Sequence, residues 1–452
     1  LAAVVEFIIQ DGIAMRVTKI IISVLLCVLA VLSFTVVAFA EEEETTSYFD
    51  YYGAIIDRDN GNMGDAFDVA KEYMNPKGTL LVVSNKGDWA NYPENSLEGI
   101  LSAFELGADI VKINVKRTAD GQFVLMHDES TTRTCYGGDD KLISELTLSQ
   151  VKEYRLLSGV GEEMAKQTAY TVPSLYEVLA SVKGKGMLLI DFKWEWKDEL
   201  YSLVNNRNML GDVIFYTEAK AKEIGEWTSS LDIKPHIMSG YKSNIVFAIG
   251  AYIKDSFSSG VEAVRLATKN PYGVIFDNFT MKKFGEKGRA VIDMTNPKLC
   301  GDREDTEKWW DDVVSRGYSI IITDYPEELA EYAAETEYAK SQLRETYKRY
   351  KEEWTLPEFG SYTYIDYKRN YQWAVRDAEA ALNGRLCSKY DYLTASHNLR
   401  RAAVNIEINY TALRDGKAEL TISLPRIIVA ILAVAAVVGT QVYFYKKRKR
   451  EA

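Results

Sequence analysis

The sequence predicts an α/β protein: a (β/α)8 barrel, then a small helical module, then one C-terminal transmembrane helix. Three observations predict the barrel. Short apolar runs alternate with helical stretches from about residue 79 to 335. Those runs are apolar through their length, as parallel strands covered on both faces are. The span is close to the roughly 250 residues that such a barrel takes.

Of 452 residues, 47% are hydrophobic and 26% charged, enough for a sizeable core and too apolar for global disorder. The net charge of −11, with no basic stripe to offset it, argues against a nucleic-acid partner. Only three histidines occur, His127, His236 and His397, which limits any mechanism that needs two imidazoles.

Taken in order, residues 1–14 precede Met15 and read as an upstream extension. Arg16 and Lys19, an apolar run over 20–37 and Ala38-Phe39-Ala40 before Glu41 read as a secretory signal peptide, so that 1–40 is removed or retained as an uncleaved anchor. Residues 41–78 form an acidic linker with a short helix over 64–74, broken by Pro76-Lys77-Gly78. Strands are expected at 80–84, 109–115, 187–193, 213–216, 236–238, 264–267, 274–278, 290–293 and 319–323. That is nine candidates for eight places, so one between 263 and 293 is in excess. Helices fill the gaps, among them 95–106, capped by Asn95 or Ser96, 174–181 and 306–316.

From 337 to 420 the pattern is helical only. Ala374, Ala378, Ala381 and Leu382, then Leu399, Ala402, Ala403, Ile406, Tyr410 and Leu413, recur at three- and four-residue spacing. The Tyr and Trp residues of this module read as ordinary core, with a grip on a polysaccharide or partner as the alternative. The stretch 427–445 carries no charge and spans roughly 28 Å as a helix, close to a bilayer core. The basic tail 446–452 then stays cytoplasmic. These features predict a single-pass cell-membrane protein with the bulk of the chain extracytoplasmic. Cys135, Cys300 and Cys387 follow the signal; Cys135 and Cys300 either pair or are free thiols.

The stretch from Asp109 to Asp128 is the candidate site. Lys112 and Asn114 share one face of a strand, and the turn at Asp120-Gly121 brings His127 back beside that face. Lysine and asparagine stand there where a metal or acid–base centre would want carboxylates.

Over most of 79–335 the chain resembles the glycerophosphodiester phosphodiesterase family. The resemblance lies in Pro93-Glu94-Asn95-Ser96, Gly107-Ala108-Asp109, Thr118-Ala119-Asp120-Gly121 with Met126-His127-Asp128 and Arg133-Thr134, Val172-Pro173-Ser174-Leu175, Ile190-Asp191-Phe192-Lys193, and Ile322-Thr323-Asp324-Tyr325-Pro326. It implies a barrel of the phospholipase C-like phosphodiesterase type. It also implies hydrolysis assisted by Ca²⁺ or Mg²⁺, held by a Glu-x-Asp pair on the second strand and an acid on the third. Two histidines serve as general acid and base, because a phosphodiester anion needs its charge offset while one oxygen loses a proton and another gains one.

This chain departs from that pattern. Asn85-Lys86-Gly87 stands for His-Arg-Gly, Lys112-Ile113-Asn114 for Glu-x-Asp, and Asp191 with Lys193 for Glu-x-Lys. Only His127 remains of the imidazole pair, and His236 reads as structural, at the opposite end of the barrel. A dication at ~4 Å from an ammonium meets roughly 8 kcal/mol of repulsion at an effective dielectric of ~20, so no metal is expected at Lys112, Asn114 and Asp191. Lys112 is expected to bond Asp191 directly. Two readings follow. In the first, hydrolysis is lost and Lys86, Lys112 and Lys193 make a cationic mouth for a phosphate, a surface polymer or an acidic partner. In the second, a residual metal-independent hydrolase uses His127 for proton transfer and Glu94 as its second acid or base. A third possibility is a pocket simply closed by Lys112 and Asp191.

Overall fold

The computed structural model describes residues 67–242, 248–270, 273–285, 287–359 and 362–414. Eight parallel strands close on themselves: β1 Leu81–Asn85, β2 Ile110–Arg117, β6 Met187–Asp191, β7 Val213–Thr217, β8 His236–Lys242, β9 Ala263–Ala267, β10 Arg289–Asp293 and β11 Ile320–Thr323. β1 pairs with both β2 and β11, which completes the ring. β3 Phe123–Leu125 folds back antiparallel on β2, and β4 Arg155–Leu157 pairs with β5 Gln167–Thr171 as a separate ribbon. These runs are buried on both faces, which is why they read as unbroken apolar segments rather than alternating ones.

Each stave is followed by a helix on the outside. Ser96 caps the first of these, Leu97–Glu105, and Ser174 with Glu177 forms a capping box on Leu175–Val182. The excess strand candidate is the run at 274–278. Val274–Phe276 is instead a 3₁₀ turn leading into the helix Asn278–Phe284, and Ile275 and Phe276 join the outer core. A three-residue apolar run carries no period by which to tell strand from helix.

Inside the ring, side chains from alternate staves stack in layers of four. Following the pairing register with the shift of about one residue per stave that closes such a barrel, Ile110, Ile214, Ala263 and Ile320 form one layer. Val83, Leu189, Met238 and Val291 lie above it. These residues make a separate buried cluster, sealed from below by Tyr73 of the short helix Val69–Met74. Tyr73 donates to the Ile237 carbonyl and meets the His236 ring edge-on. Arg289, also fully buried there, donates to the carbonyls of Glu72, Thr79 and Ser319. His236 pairs with Glu262 at this floor, away from the mouth.

The next two layers upward change character. Lys112, Tyr216, Arg265 and Ile322 come first, then Asn85, Asp191, Gly240 and Asp293. The polar residues sit at the carboxyl ends of the strands, where barrels of this kind carry their sites.

The last barrel helix, Pro326–Tyr347, runs without interruption across the expected boundary at 335–337 and becomes the first helix of the bundle. It packs with Tyr362–Asn383 and Lys389–Ile408 in a core continuous with the barrel's outer layer. Tyr350, Tyr364, Tyr371 and Tyr392 lie inside that core, while Trp373 and Tyr390 face outward.

The transmembrane part of the expected architecture is corrected: among the described residues no helix is long and apolar enough to cross a membrane. The stretch read as that helix, 427–445, and the signal segment 15–40 lie outside the described residues. Cys135 and Cys300 do not pair; both are buried free thiols, each pushed up to about 11 by burial.

Candidate functional site

Lys112 rises from β2 and is 8% exposed. Its ammonium donates to Asn85 Oδ1 at 3.3 Å and stands 4.0 Å from Asp191 Oδ2. The direct Lys112–Asp191 hydrogen bond expected from the sequence is therefore an ion pair at longer range, with Asn85 the nearer partner. Asn85 in turn donates to Asp324 Oδ1 at 3.0 Å, and Trp89 Nε1 donates to the same oxygen at 2.9 Å. Burial raises the Asp324 carboxyl, against the pull of these two neutral donors. Asn114 is held from the loop after β1: Asn95 Oδ1 accepts its backbone N–H at 2.9 Å. Among the described residues no three His, Cys, Asp or Glu side chains stand together as a metal-holding group.

The second part of the site is a chain of charges on the loops. Glu94, 3% exposed, accepts from Lys86 Nζ at 2.9 Å and from Arg133 Nη2 at 2.6 Å. Arg133 also holds Asp128, Nε to Oδ2 at 2.7 Å, and Asp128 Oδ1 lies 2.6 Å from His127 Nδ1. The Arg133 guanidinium, with His127, keeps the Asp128 carboxyl well below the usual range, and Asp128 raises Arg133 in return. His127 follows β3, whose neighbour Met126 donates its backbone N–H to the Asn114 carbonyl at 2.9 Å. The imidazole is thus oriented by Asp128 and is half-exposed. Lys193 lies on the rim, 3.4 Å from Glu129 and over the Trp196 ring.

The mouth is not a bare cationic surface, because Lys86, Lys112 and Lys193 each stand beside a carboxylate. Glu94, expected as an acid or base, lies buried between two cations.

Sequence reasoning did not single out Tyr216, Glu218, Arg265, Asp293 or Asp305. Arg265 enters from β9, pairs with Asp293 at 3.3 Å and Glu218 at 3.2 Å, and lies over the Tyr216 ring at 4.5 Å. The signal available was parity: Arg265 is two residues beyond inward-facing Ala263. Asp305 accepts from Trp310 Nε1, Thr323 Oγ1 and the Asp324 N–H, and burial, with repulsion from Asp324, lifts it to about 6.

That value has a pH consequence. A carboxyl raised on folding stabilises the fold fully below its unfolded value near 4 and loses that contribution as pH rises through about 6. Unfolding free energy in the unsubstituted chain is therefore expected to fall between those limits by on the order of 2 kcal/mol more than in Asp305→Asn. Parallel denaturant titrations across that range check it, and coincident curves would remove Asp305 from the account.

The polar layers gather at the carboxyl ends of an eight-stave parallel barrel, beside an oriented imidazole, which is where barrels of this fold carry their sites. Residues 86–239 match the model of the Glycerophosphoryl diester phosphodiesterase family, the family that the sequence motifs resemble. The glycerophosphodiester phosphodiesterase of Caldanaerobacter subterraneus is 35% identical over 109 residues, 24% of this chain and 43% of the relative. That of Bacillus altitudinis is 30% identical over 120 residues, 26% and 46%. The chain thus spans less than half the length of these curated relatives. A solved glycerophosphoryl diester phosphodiesterase from Parabacteroides distasonis superposes with a TM-score of 0.48 at 19% identity, covering 58% of this chain and 89% of that one. Arg265, Asp293 and Asp324 lie beyond the residues matched by the family model.

Proposed function

We propose that this barrel is a glycerophosphodiester phosphodiesterase-like domain that has given up metal-assisted hydrolysis and binds a phosphate-bearing glycerol ligand. The observation that carries the reading is the placement of Lys112. Its ammonium occupies the space between Asn85 and Asp191, where the resemblance puts a divalent ion. The residues present do not fit that ion: Lys112 brings a positive charge, Asn114 no charge, and Asp191 is already paired. No metal is part of this reading.

Lys112 also argues for a ligand. A buried ammonium has three donors, and among the described residues this one has a single hydrogen bond at 3.3 Å and one longer ion contact. Buried donors of that kind look for acceptors, and phosphoryl oxygens supply them.

The test is a hydrolysis assay on glycerophosphodiesters run beside calorimetric titration with sn-glycerol 3-phosphate. No turnover is expected with or without Ca²⁺ or Mg²⁺. Binding is expected, and Lys112→Met should weaken it at least about ten-fold, the size of one lost charge-assisted hydrogen bond. Chelator-sensitive turnover by the unsubstituted chain would overturn the reading.

One observation favours a second reading, residual hydrolysis without metal: His127 is still oriented by a carboxylate, at 2.6 Å. Cleavage that survives EDTA and disappears in His127→Ala would establish it in place of the first.

A further inference from the structure

We propose that Lys112 and Arg265, which face each other from opposite staves in one layer of the barrel, form a two-cation seat for the dianionic phosphoryl group of a phosphomonoester. The inference rests on the binding reading above and deepens it. That reading needs only Lys112 and leaves monoester and diester equally welcome.

The placement follows from the register. β2 is the second stave and β9 the sixth, so in a ring of eight they stand across the axis from each other. Lys112 and Arg265 share their layer with Tyr216 and Ile322, over an apolar floor. Arg265 is 7% exposed, and Tyr216 fixes the plane of its guanidinium from one face. Gly240 permits this: a Cβ there would collide with the Tyr216 hydroxyl and crowd the Glu218 side chain. The glycine also leaves one corner of the layer above without a side chain.

Both cations are incompletely bound. Arg265 reaches Asp293 through Nη1 at 3.3 Å and Glu218 through Nη2 at 3.2 Å, and its buried Nε has no partner among the described residues. Well-formed charge-assisted bonds run at about 2.7–2.9 Å. Nε and Nη2 form the side-on edge by which a guanidinium grips an oxyanion with two parallel bonds. Here one of those donors is empty and the other leans on Glu218, whose half-exposed side chain also accepts from the Tyr216 hydroxyl at 3.0 Å and would give up both bonds on turning to solvent. Lys112, across the axis, has the free donors already described.

The seat holds an anion through unfilled donors rather than through net charge. Asp293 and Asp191 offset one cation each, and Asp191 acts on both. Asp324 is held by two neutral donors, and burial raises its carboxyl. With Glu218 turned away, the unfilled donors of Lys112 and Arg265 meet the incoming group. A phosphomonoester brings about −1.5 to −2 charges and three terminal oxygens at neutral pH. A diester brings one charge and two such oxygens, and cannot engage both cations as well.

The experiment is calorimetric titration of the full chain with sn-glycerol 3-phosphate, glycerophosphocholine, inorganic phosphate and glycerol. The monoester is expected to bind at least about ten-fold tighter than the diester, inorganic phosphate to bind, and glycerol alone to give no heat. Arg265→Gln should bring monoester and diester within about two-fold of each other. Arg265→Lys, which keeps the charge and loses the side-on edge, should shrink the preference at least about three-fold. The comparison in the unsubstituted chain requires no variant to fold. Equal affinity for the two esters there overturns the inference, as does a preference untouched by both substitutions; the diester still binds in those cases, and the reading beneath survives. No heat from either ester in the unsubstituted chain ends both.

Discussion

Combining Asn85→His, Lys112→Glu and Asn114→Asp in one chain is expected to create divalent-cation-dependent hydrolysis of glycerophosphodiesters. The three positions are already neighbours. Asn85 registers with Lys112 across β1 and β2, and Asn114 registers with Asp191 across β2 and β6. The substitutions turn a site holding one ammonium and one carboxylate into one holding three carboxylates, with the second imidazole beside it. The scaffold for that imidazole exists: Asp324 Oδ1, 3.0 Å from Asn85 Nδ2 and pinned by Trp89, would orient a histidine at 85 as Asp128 orients His127. General acid–base action alone contributes about 10²–10⁴-fold. A gain of at least about 10³-fold over Lys112→Glu alone, abolished by EDTA, is therefore expected. Lys112→Glu by itself supplies charge without the proton-transfer pair and should remain nearly silent. A triple variant that folds and binds Ca²⁺ or Mg²⁺ but turns nothing over would show that these three positions do not decide hydrolysis.

The barrel was legible because its evidence is local. A parallel stave buried on both faces needs a run of apolar residues, and each such run is visible without knowledge of its neighbours. The helix caps Ser96 and Ser174 are local too. The site was legible only in its first half, for the same reason. Lys112, Asn114 and His127 lie within one hairpin, so their convergence can be read from alternation and a turn.

Arg265 and Asp293 belong to different staves, and Asp324 meets Asn85 from 239 residues away. Nothing short of closing the ring brings them together. In sequence Arg265 is one charge inside an apolar pentapeptide, as easily an outward-facing residue as an inward one. Charge reading failed in a related way. The lysines were visible, while the carboxylates that offset them come from other loops and staves, Glu94 for Lys86, Asp191 for Lys112 and Glu129 for Lys193. A count of cations at a predicted mouth overstates its field unless the opposing loops are placed as well.

Glu94→Ala is expected to damage the fold rather than any chemistry. Its carboxylate is buried between Lys86 and Arg133 and ties the loop after β1 to the loop after β3. Lys86 itself adopts a left-handed backbone at φ 66°, and so does Asn95 at φ 57°, conformations that non-glycine residues keep only when their surroundings hold them. Removing the anion leaves the partly covered Lys86 ammonium and Arg133 guanidinium without the carboxylate they share. Breaking a buried pair on one side costs about 3–5 kcal/mol, and the partial exposure of Arg133 places this case near about 3. In a barrel–bundle unit of this size each kcal/mol moves the midpoint by about 2–4 °C, so a drop of roughly 6–12 °C is expected by calorimetry. The two roles for Glu94 separate cleanly on Glu94→Gln. A strut loses one of its charges and melts several degrees early. A general acid or base would keep its midpoint and lose turnover in whatever hydrolysis the chain or its triple variant performs.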